Sequence, residues 1–407
     1  MSILNVKSEI GKLKKVVLHR PGKELENLTP KWLSKLLFDD IPWLEEAQHE
    51  HDLFADELRK HQVEVYYLEN LVSEALDVSE EIKKEFINLF IKESLVYSES
   101  LKEKLFEYLN SFNNNLDLVK VTMSGIKKTD LPNYSINSLT DYIRDYPFIT
   151  DPMPNLYFTR DPFTVIDGGV SINHMQTITR NRETIYGHFI FKYHPEFRDE
   201  TIVHFYDRNL NTSIEGGDIL VLSKEVIAIG VSERTHPASI ERLAKNIFYN
   251  SVNTFTKVLA FDIPKTRAFM HLDTVFTQVD HDKFLIHNGA KSDLTVYELS
   301  KTSDKLVKIT QINGKLSSIL EKYLNKKITL ISCGGDDEIA SDREQWNDGA
   351  NSLAIAPGEV IVYSRNKITN EILKEKGIKV YPIKASELSR GRGGPRCMSM
   401  PLYREDL

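Results

Sequence analysis

Residues 353–383 read "LAIAPGEVIVYSRNKITNEILKEKGIKVYPI" and contain a strand, a turn, a strand, a helix and a third strand in that order. Two apolar runs flank Pro357 and Gly358, a turn signal typical of a hairpin. The helical pattern that follows ends at Gly377, a residue suited to close a helix. The apolar run 378–383 is the third strand. The stretch therefore predicts one α/β module whose sheet mixes antiparallel and parallel pairs.

Looser copies of the same order recur along the chain. They cover residues 13–68, 158–208, 218–264 and 271–333. A module of this size cannot bury a core alone, so about five of them are expected to form a ring or a stacked array. A doubly wound sheet is the alternative, and it is less favoured because the hairpins imply mixed rather than parallel sheets.

The segment 73–140 interrupts this order and contains little strand signal. Apolar residues lie at helical spacing around Phe86 and Phe90. Ser100 and Glu103 have the spacing of a capping box. The sequence therefore predicts a helical insertion at 73–140, between two parts of a catalytic α/β unit at 1–72 and 141–407.

The composition is that of an ordinary globular protein. The 407 residues carry a net charge of −7, and 41% of them are hydrophobic. The negative charge argues against a nucleic-acid partner. We expect no membrane span, because no run of about 18 apolar residues occurs. Two cysteines make no disulfide framework and the N-terminus is too polar for a secretory signal, so we expect a reduced, cytoplasmic protein.

Ionisable residues interrupt four strand-like stretches, each in a different module. The stretches are "NLYFTRDPF" (155–163), "SIEGGDI" (213–219), "FMHLDTVF" (269–276) and "PRCMSMP" (395–401). In a ring of modules these strand edges converge on the axis. We therefore expect one shared site, formed by Asp161, Glu215, His271, Asp273 and Cys397.

Each of these residues alone has a structural explanation. An aspartate before proline, such as Asp161, is usually a turn former, and Glu215 precedes a glycine pair that marks a tight turn. His271 and Asp273 are expected to alternate along a strand, where they would occupy a solvated edge. Cys333, at the end of an apolar run, is expected to be a core residue.

Together the residues form a set with a chemical use. A thiolate is the reactive form of cysteine, and a histidine needs one carboxylate to hold its orientation. Two carboxylates remain, and buried carboxylates repel unless a cation joins them. A planar guanidinium presents donors that suit paired carboxylates, and a thiolate can attack its central carbon. The set therefore predicts a guanidinium substrate.

The four stretches "FTRDPF", "EGGD", "MHLDT" and "RCMSMPL", in this order, resemble the arginine deiminase family. The N-terminal "EIGKLKKVVLHRPG" strengthens the resemblance, which covers nearly the whole chain. It implies the five-module α/β propeller of the guanidine-modifying (pentein) superfamily. It also implies hydrolysis of L-arginine to L-citrulline and ammonia in arginine catabolism, by a cytoplasmic homo-oligomer without a metal or an organic cofactor.

The resemblance also implies a role for ten residues. Cys397 is similar to the family's nucleophile and His271 to its general acid and base. The other acids match groups that grip the guanidinium (Asp161, Asp273) or stand beside the histidine (Glu215). The remaining matches bind the rest of arginine: Asn155, Arg180 and Arg234 at its carboxylate and amino end, Phe158 along its stem, and Arg392 at the entrance of the site. Alternative arginines near Arg180 leave open which of them binds the carboxylate.

Three other functions remain alternatives. The first is another guanidine-modifying enzyme, either an amidinotransferase or a hydrolase of agmatine or methylated arginine. The second is a cysteine protease, which would leave the additional carboxylates without a use. The third is a non-catalytic arginine-binding protein. The glycines in the loop 384–396 are expected to let it bend and close over the site.

Overall fold

The computed structural model describes residues 3–132, 134, 139, 146–198, 201–249, 254–265, 269–291 and 293–407. The strands of this part of the chain, in order, are β1 Leu13–Leu18, β2 Glu64–Tyr67, β3 Ile126–Lys127, β4 Phe148–Thr150, β5 Phe163–Ile166, β6 Gly169–Ile172, β7 His204–Tyr206, β8 Ile219–Val221, β9 Val226–Val231, β10 Lys257–Asp262, β11 Phe276–Gln278, β12 Lys283–Ile286, β13 Asp293–Lys301, β14 Val307–Lys315, β15 Thr329–Ser332, β16 Leu353–Ala356, β17 Glu359–Tyr363, β18 Lys379–Ile383 and β19 Met400–Arg404.

The helices complete an α/β protein. They are α1 Lys23–Glu26, α2 Leu33–Leu36, α3 Leu44–Lys60, α4 Leu68–Leu76, α5 Glu80–Glu93, α6 Glu99–Asn110, α7 Asn115–Ser124, α8 Ile178–Asn181, α9 Thr184–Tyr193, α10 Pro237–Tyr249, α11 Leu272–Val275, α12 Leu316–Leu324, α13 Glu338–Trp346 and α14 Lys367–Glu375. Short 3₁₀ helices lie at Pro30–Trp32, Pro154–Tyr157, Gly216–Asp218, Asn288–Lys291 and Leu388–Gly391. Every helix in the described ranges is too short or too polar to cross a lipid bilayer.

Within the described residues, a common three-strand unit recurs in the sheets. A central strand pairs antiparallel with one neighbour and parallel with the other. The units are β19-β1-β2, β5-β6-β7, β8-β9-β10, β11-β12-β15 and β16-β17-β18. The mixed pairing predicted from the hairpin signals is therefore confirmed, as is the α/β class. The arrangement of the units as a five-module propeller stays a prediction.

The unit quoted first forms as the sequence predicts. Strands β16 and β17 pair antiparallel across the turn, where Gly358 has φ of 73°, a left-handed conformation that suits glycine. Helix α14 then carries the chain to β18, which pairs parallel with β17. Gly377 closes the helix with φ of 81°.

Two pairings were not visible in the sequence. The N-terminal copy is looser because its antiparallel partner, β19, comes from the opposite end of the chain. The polar stretch before β15 forms a hairpin of two nine-residue strands, β13 and β14, and β13 joins β10 of the preceding unit. Most of β14 is exposed at the sheet edge, so its polar composition gave little strand signal.

Four consecutive helices, α4 to α7, occupy the segment where helices were predicted. The first begins at Leu68, before the predicted boundary at 73, and the other boundary near 140 lies outside the described residues. The capping box predicted at Ser100 is wrong, because Ser98 caps α6 and its side chain accepts a hydrogen bond from the Leu101 amide. On α5, Phe86 and Phe90 are buried as their spacing predicts. The domain division itself stays a prediction.

Candidate active site

A cavity of about 680 Å³ gathers most of the residues that the sequence singled out. Eight of the ten predicted site residues line it: Asn155, Phe158, Asp161, Arg180, Arg234, His271, Arg392 and Cys397. The other two, Glu215 and Asp273, are fully buried and touch His271 and Cys397 respectively. Residues distant in sequence therefore meet at one place.

His271 stands at the entry of a one-turn helix, not on a strand. The expected alternation of His271 and Asp273 along a strand is therefore wrong. The helix α11 forms because the Leu272 amide donates to Asp218 Oδ1 at 2.9 Å, and the Thr274 hydroxyl donates to the His271 carbonyl at 2.7 Å. Asp218, from the quoted "EGGD" stretch, is thus a site-building residue that the sequence analysis missed.

The His271 imidazole lies between two carboxylates. Its Nε2 is 2.8 Å from Glu215 Oε2, and its Nδ1 is 3.9 Å from Asp161 Oδ1. Burial lowers the pKa of His271, but Asp161 and the other nearby carboxylates outweigh it and raise the pKa to about 9. The ring is therefore an imidazolium at neutral pH and can donate a proton.

The Cys397 thiol donates to Asp273 Oδ2 at 3.5 Å. Burial raises the pKa of this thiol well above its usual value, and the charges of Asp273 and Asp161 raise it further. The positive charge of Arg396 lowers the pKa of the thiol, but by less than burial and the two acids raise it. In the absence of substrate the thiol is therefore neutral at pH 7.

Arg396 fixes the Asp273 carboxylate from behind. Its Nη1 donates to Asp273 Oδ2 at 2.8 Å, and its Nε and Nη2 form a fork with Glu9 at 2.9 and 3.1 Å. The other oxygen, Asp273 Oδ1, is buried without a hydrogen-bond partner. Such an acceptor suits a cationic donor that arrives with the substrate. Neither Arg396 nor Glu9 was among the site residues predicted from the sequence.

Asp161 is held on both oxygens. Its Oδ1 accepts from the Gly217 amide at 3.1 Å, and its Oδ2 accepts from Arg180 Nη1 at 3.0 Å. The side chain of Arg180 also pairs with Glu183 at 2.9 Å. The neighbouring Arg182 instead donates to the Asp151 carbonyl and does not line the cavity. Arg180 is therefore better placed than Arg182 to meet a substrate.

The remaining predicted residues form the walls and mouth of the cavity. Asn155 Nδ2 donates to the Leu36 carbonyl at 2.9 Å, which ties α2 to the cavity. Arg234 Nη1 is 3.7 Å from Glu215 Oε2. The guanidinium carbon of Arg392 lies 3.6 Å from the ring centroid of Trp346, a cation–π contact.

The loop 384–396 is fastened at several points in this structure. Glu50 of α3 accepts from the amides of Glu387 and Leu388 at 2.9 and 3.0 Å. The Tyr363 hydroxyl donates to the Gly393 carbonyl at 2.7 Å. Closure of the loop over the site stays a prediction. A Cβ at Gly393 would lie 2.2 Å from the Phe158 ring, so close approach, rather than bending alone, requires glycine there.

Another buried acid, whose charge acts on the thiol, was also missed. Asp348 is 5% exposed, adopts a left-handed backbone with φ of 56°, and leaves Oδ2 without a hydrogen-bond partner. Burial raises its pKa to about 7, although Arg392 lowers it. Its sequence, "NDG", resembles an ordinary turn. Cys333, by contrast, is a fully buried residue after β15, as expected.

Asp161, Glu215 and His271 have the chemistry of metal ligands, and one ligand atom of each lies within 4.8 Å of the others. Two of the candidate ligand atoms are already engaged, however. His271 Nε2 contacts Glu215, and Asp161 Oδ2 accepts from Arg180. A metal bound through these two atoms would have to displace these contacts. The same atoms suit an imidazolium held between acids without any change.

Comparison with known proteins gives one consistent result. The model of the arginine deiminase family matches residues 34–404. The arginine deiminase of Clostridium perfringens is 58% identical over 407 residues, which cover 99% of this chain and 98% of that protein. The arginine deiminase of Streptococcus uberis is 55% identical over 410 residues, covering 100% of this chain and 99% of that protein.

Solved structures with similar folds have much lower sequence identity. An amidinotransferase from Microseira wollei has a TM-score of 0.56 at 14% identity, covering 100% of this chain and 98% of its own. A dimethylarginine dimethylaminohydrolase adduct with S-methyl-L-thiocitrulline has a TM-score of 0.51 at 15% identity, covering 96% and 99%. These two comparisons establish similarity of fold only: this chain shares the pentein fold.

Proposed function

This chain belongs to the arginine deiminase family, and from that premise we propose that it hydrolyses L-arginine to L-citrulline and ammonia through a covalent intermediate on Cys397. The observation that carries the proposal is the position of Cys397 Sγ, 3.5 Å from Asp273 Oδ2 at a cavity that Asp161 and His271 also line. A nucleophile, a proton donor and one acid for a guanidinium thus line the same space, and the second acid, Asp273, lies in contact with the nucleophile.

Substrate binding sets the reaction geometry. In this proposal the guanidinium lies between Asp161 and Asp273, and Asp273 Oδ1, which lacks a partner, accepts one of its N–H groups. The α-carboxylate meets Arg180 and Arg234. The two acids place the guanidinium carbon beside Cys397 Sγ and stabilise positive charge on the substrate throughout.

The first half of the reaction forms the covalent intermediate. Once the guanidinium is bound, the Cys397 thiol loses its proton to water, and the resulting thiolate adds to the guanidinium carbon and gives a tetrahedral adduct. The His271 imidazolium then donates a proton to one terminal nitrogen, the bond between that nitrogen and the carbon breaks, and ammonia leaves. An S-alkylthiouronium remains on Cys397. The raised pKa of His271, about 9, keeps this proton available at neutral pH.

The second half releases citrulline. Neutral His271 takes a proton from water as the water oxygen adds to the thiouronium carbon. The carbon–sulfur bond then breaks, and the proton of the new hydroxyl passes to the departing sulfur as the citrulline carbonyl forms, which restores the Cys397 thiol. Glu215, at 2.8 Å, stabilises the imidazolium that this step regenerates.

The finer expectations belong to the same proposal. We infer a five-module propeller with an inserted helical segment, because the three-strand unit recurs in five sheets and α4 to α7 follow one another without a strand between them. A cytoplasmic homo-oligomer that acts in arginine catabolism is inferred from family membership.

A direct test is to incubate the purified protein with L-arginine, agmatine and dimethylarginine in parallel. We expect citrulline and ammonia in equal amounts from arginine alone, and no product with Cys397→Ala. Acid quenching during turnover, followed by mass spectrometry, should locate the intermediate on the peptide that contains Cys397. Faster turnover of agmatine or dimethylarginine would assign the protein to a different guanidine-modifying activity.

A further inference from the structure

The amide of Asn351 joins the two residues whose distance matters most to the proposed chemistry. Its Oδ1 accepts from the Cys397 backbone amide at 3.1 Å, and its Nδ2 donates to the Asp273 backbone carbonyl at 3.3 Å. Asn351 is 1% exposed and is absent from the cavity lining. Asn351 therefore contacts the backbones of the nucleophile and of the acid outside the cavity, where it does not contact the substrate.

Asn351 is itself fixed. Its backbone amide donates to the Asp348 carbonyl at 2.9 Å. The loop that carries Cys397 packs against it at Gly394, where a Cβ would lie 2.4 Å from the Asn351 carbonyl oxygen. The Cys397 carbonyl accepts from the Arg160 amide at 3.1 Å. Both backbone polar groups of the nucleophile are thus held, and within the described part of the chain the amide group is held through Asn351 alone.

We propose that Asn351 is a positioning residue that sets the distance between the Cys397 thiol and the Asp273 carboxylate by holding both backbones with a single amide, a role that rests on the function proposed above. Cys397 lies on the C-terminal loop and Asp273 on α11, so the sequence between them imposes no spacing. The covalent step needs both at once, because Asp273 holds the guanidinium whose carbon Cys397 attacks. A misplacement of about 1 Å costs on the order of 10²-fold in rate.

A purely structural role makes a different prediction. Buried backbone groups need hydrogen-bond partners in any protein. If Asn351 only supplied such partners, its removal would lower the stability of the fold and leave kcat unchanged. Asn370 provides the matched control. It is 5% exposed, and its Nδ2 donates to the Tyr363 carbonyl at 3.0 Å, but it has no bond to Cys397 or Asp273.

The first experiment compares Asn351→Ala with Asn370→Ala. Both should lower the melting temperature, because each leaves a buried carbonyl without its donor. We expect kcat for arginine to fall about 10²-fold in Asn351→Ala and less than about threefold in Asn370→Ala. An Asn351→Ala enzyme with the kcat of the wild type would overturn the proposal.

Binding separates positioning from substrate recognition. Arginine affinity is measured by calorimetry in Cys397→Ser and in the double variant Cys397→Ser, Asn351→Ala. We expect the two dissociation constants to agree within about threefold, because the groups that contact the substrate are unchanged. A loss of affinity as large as the loss of kcat would assign Asn351 to binding and contradict a positioning role.

A third readout does not depend on turnover. Iodoacetamide alkylation of Cys397 is followed by peptide mass spectrometry, which separates it from the buried Cys333. The rate constant should differ from that of the wild type by about fivefold or more in Asn351→Ala and stay unchanged in Asn370→Ala, since the thiol leaves its place beside Asp273. If the wild-type protein failed to convert arginine, the proposed function would be wrong. The alkylation rate would then decide the role of Asn351 by itself, and equal rates in the wild type and in Asn351→Ala would reject that role.

Discussion

Arg180 donates through Nη1 to Asp161 Oδ2 at 3.0 Å, so the arginine expected at the substrate carboxylate is paired with an acid expected at the substrate guanidinium. An arriving guanidinium competes with Arg180 for Asp161. An arriving carboxylate offers Arg180 a replacement partner. In the proposed binding mode, the two ends of arginine therefore help each other to bind, and a substrate that lacks the carboxylate faces an Asp161 that is still occupied.

We predict strong discrimination against agmatine. Agmatine has the guanidinium but no carboxylate, so it leaves Arg180 and Arg234 without an anion and Arg180 on Asp161. A site built for a polar group rejects an analogue without it by about 10⁴-fold or more. The ratio of kcat/KM for arginine and agmatine measures this, and comparable values would reject both the assignment of these arginines and the proposed substrate.

Arg180→Met should reduce that discrimination. The change removes the partner of the substrate carboxylate and frees Asp161 for a guanidinium. Activity on arginine should therefore fall relative to activity on agmatine. We expect the ratio of kcat/KM for arginine to that for agmatine to fall by about 10²-fold. Arg182→Met is the control. Arg182 is also buried and lies two residues after Arg180, but it donates to the Asp151 carbonyl instead of to Asp161. A ratio that changed equally in both variants would point to a general disturbance.

Asp161→Asn and Asp273→Asn should each weaken arginine binding and turnover. Each removes one charged member of a charge-assisted pair in a buried site, an interaction worth about 1.5–3 kcal/mol. Dissociation constants in a Cys397→Ser background and kcat/KM in the single variants measure the two effects. Normal values in both variants would exclude the proposed grip on the guanidinium.

We predict that substrate helps to ionise Cys397. Burial and the charges of Asp273 and Asp161 raise the pKa of the thiol, and a bound guanidinium brings an opposing positive charge to the same place. The midpoint of the alkylation rate against pH should therefore lie above that of an ordinary cysteine thiol in the free enzyme and fall when an unreactive guanidinium analogue binds. Cys397→Ser should bind arginine but not convert it. An equal midpoint in both states would indicate a permanent ion pair of Cys397 with His271.

His271 should make the folded protein less stable at alkaline pH. Its folded-state pKa is raised to about 9, so its stabilising contribution is complete below the unfolded value near 6.5 and is lost as pH rises through 9. The loss is on the order of 3 kcal/mol. Urea unfolding of the wild type and of His271→Asn, each near pH 6 and pH 10, measures this loss. His19, whose pKa is raised to about 10, is present in both proteins, so the difference between them isolates the contribution of His271. Parallel pH dependence in the two proteins would contradict the raised pKa.

Local pattern was sufficient to predict the strand and helix order of the unit at 353–383, the mixed sheets, and the meeting of Asp161, Glu215, His271, Asp273 and Cys397. The other five site residues were predicted from the family resemblance. Each prediction from local pattern depends on neighbours in sequence: alternation of apolar residues, a Pro-Gly turn, or an acid that interrupts a strand edge. The prediction of a strand through His271 and Asp273 was wrong because it also rested on neighbours in sequence alone. A side chain far away in sequence, Asp218, caps the short helix that forms there.

The sequence by itself determined which groups the protein has for its chemistry: a thiol, an imidazole, several carboxylates, and arginines for an anion. Only the tertiary structure decided their partners and charges. The pairing of β1 with β19, the fork of Arg396 on Glu9, and the hold of Asn351 on Cys397 all join residues that are far apart along the chain. The protonation of His271 and Cys397 follows from burial and from the distance to neighbouring charges, and both exist only after the chain has folded.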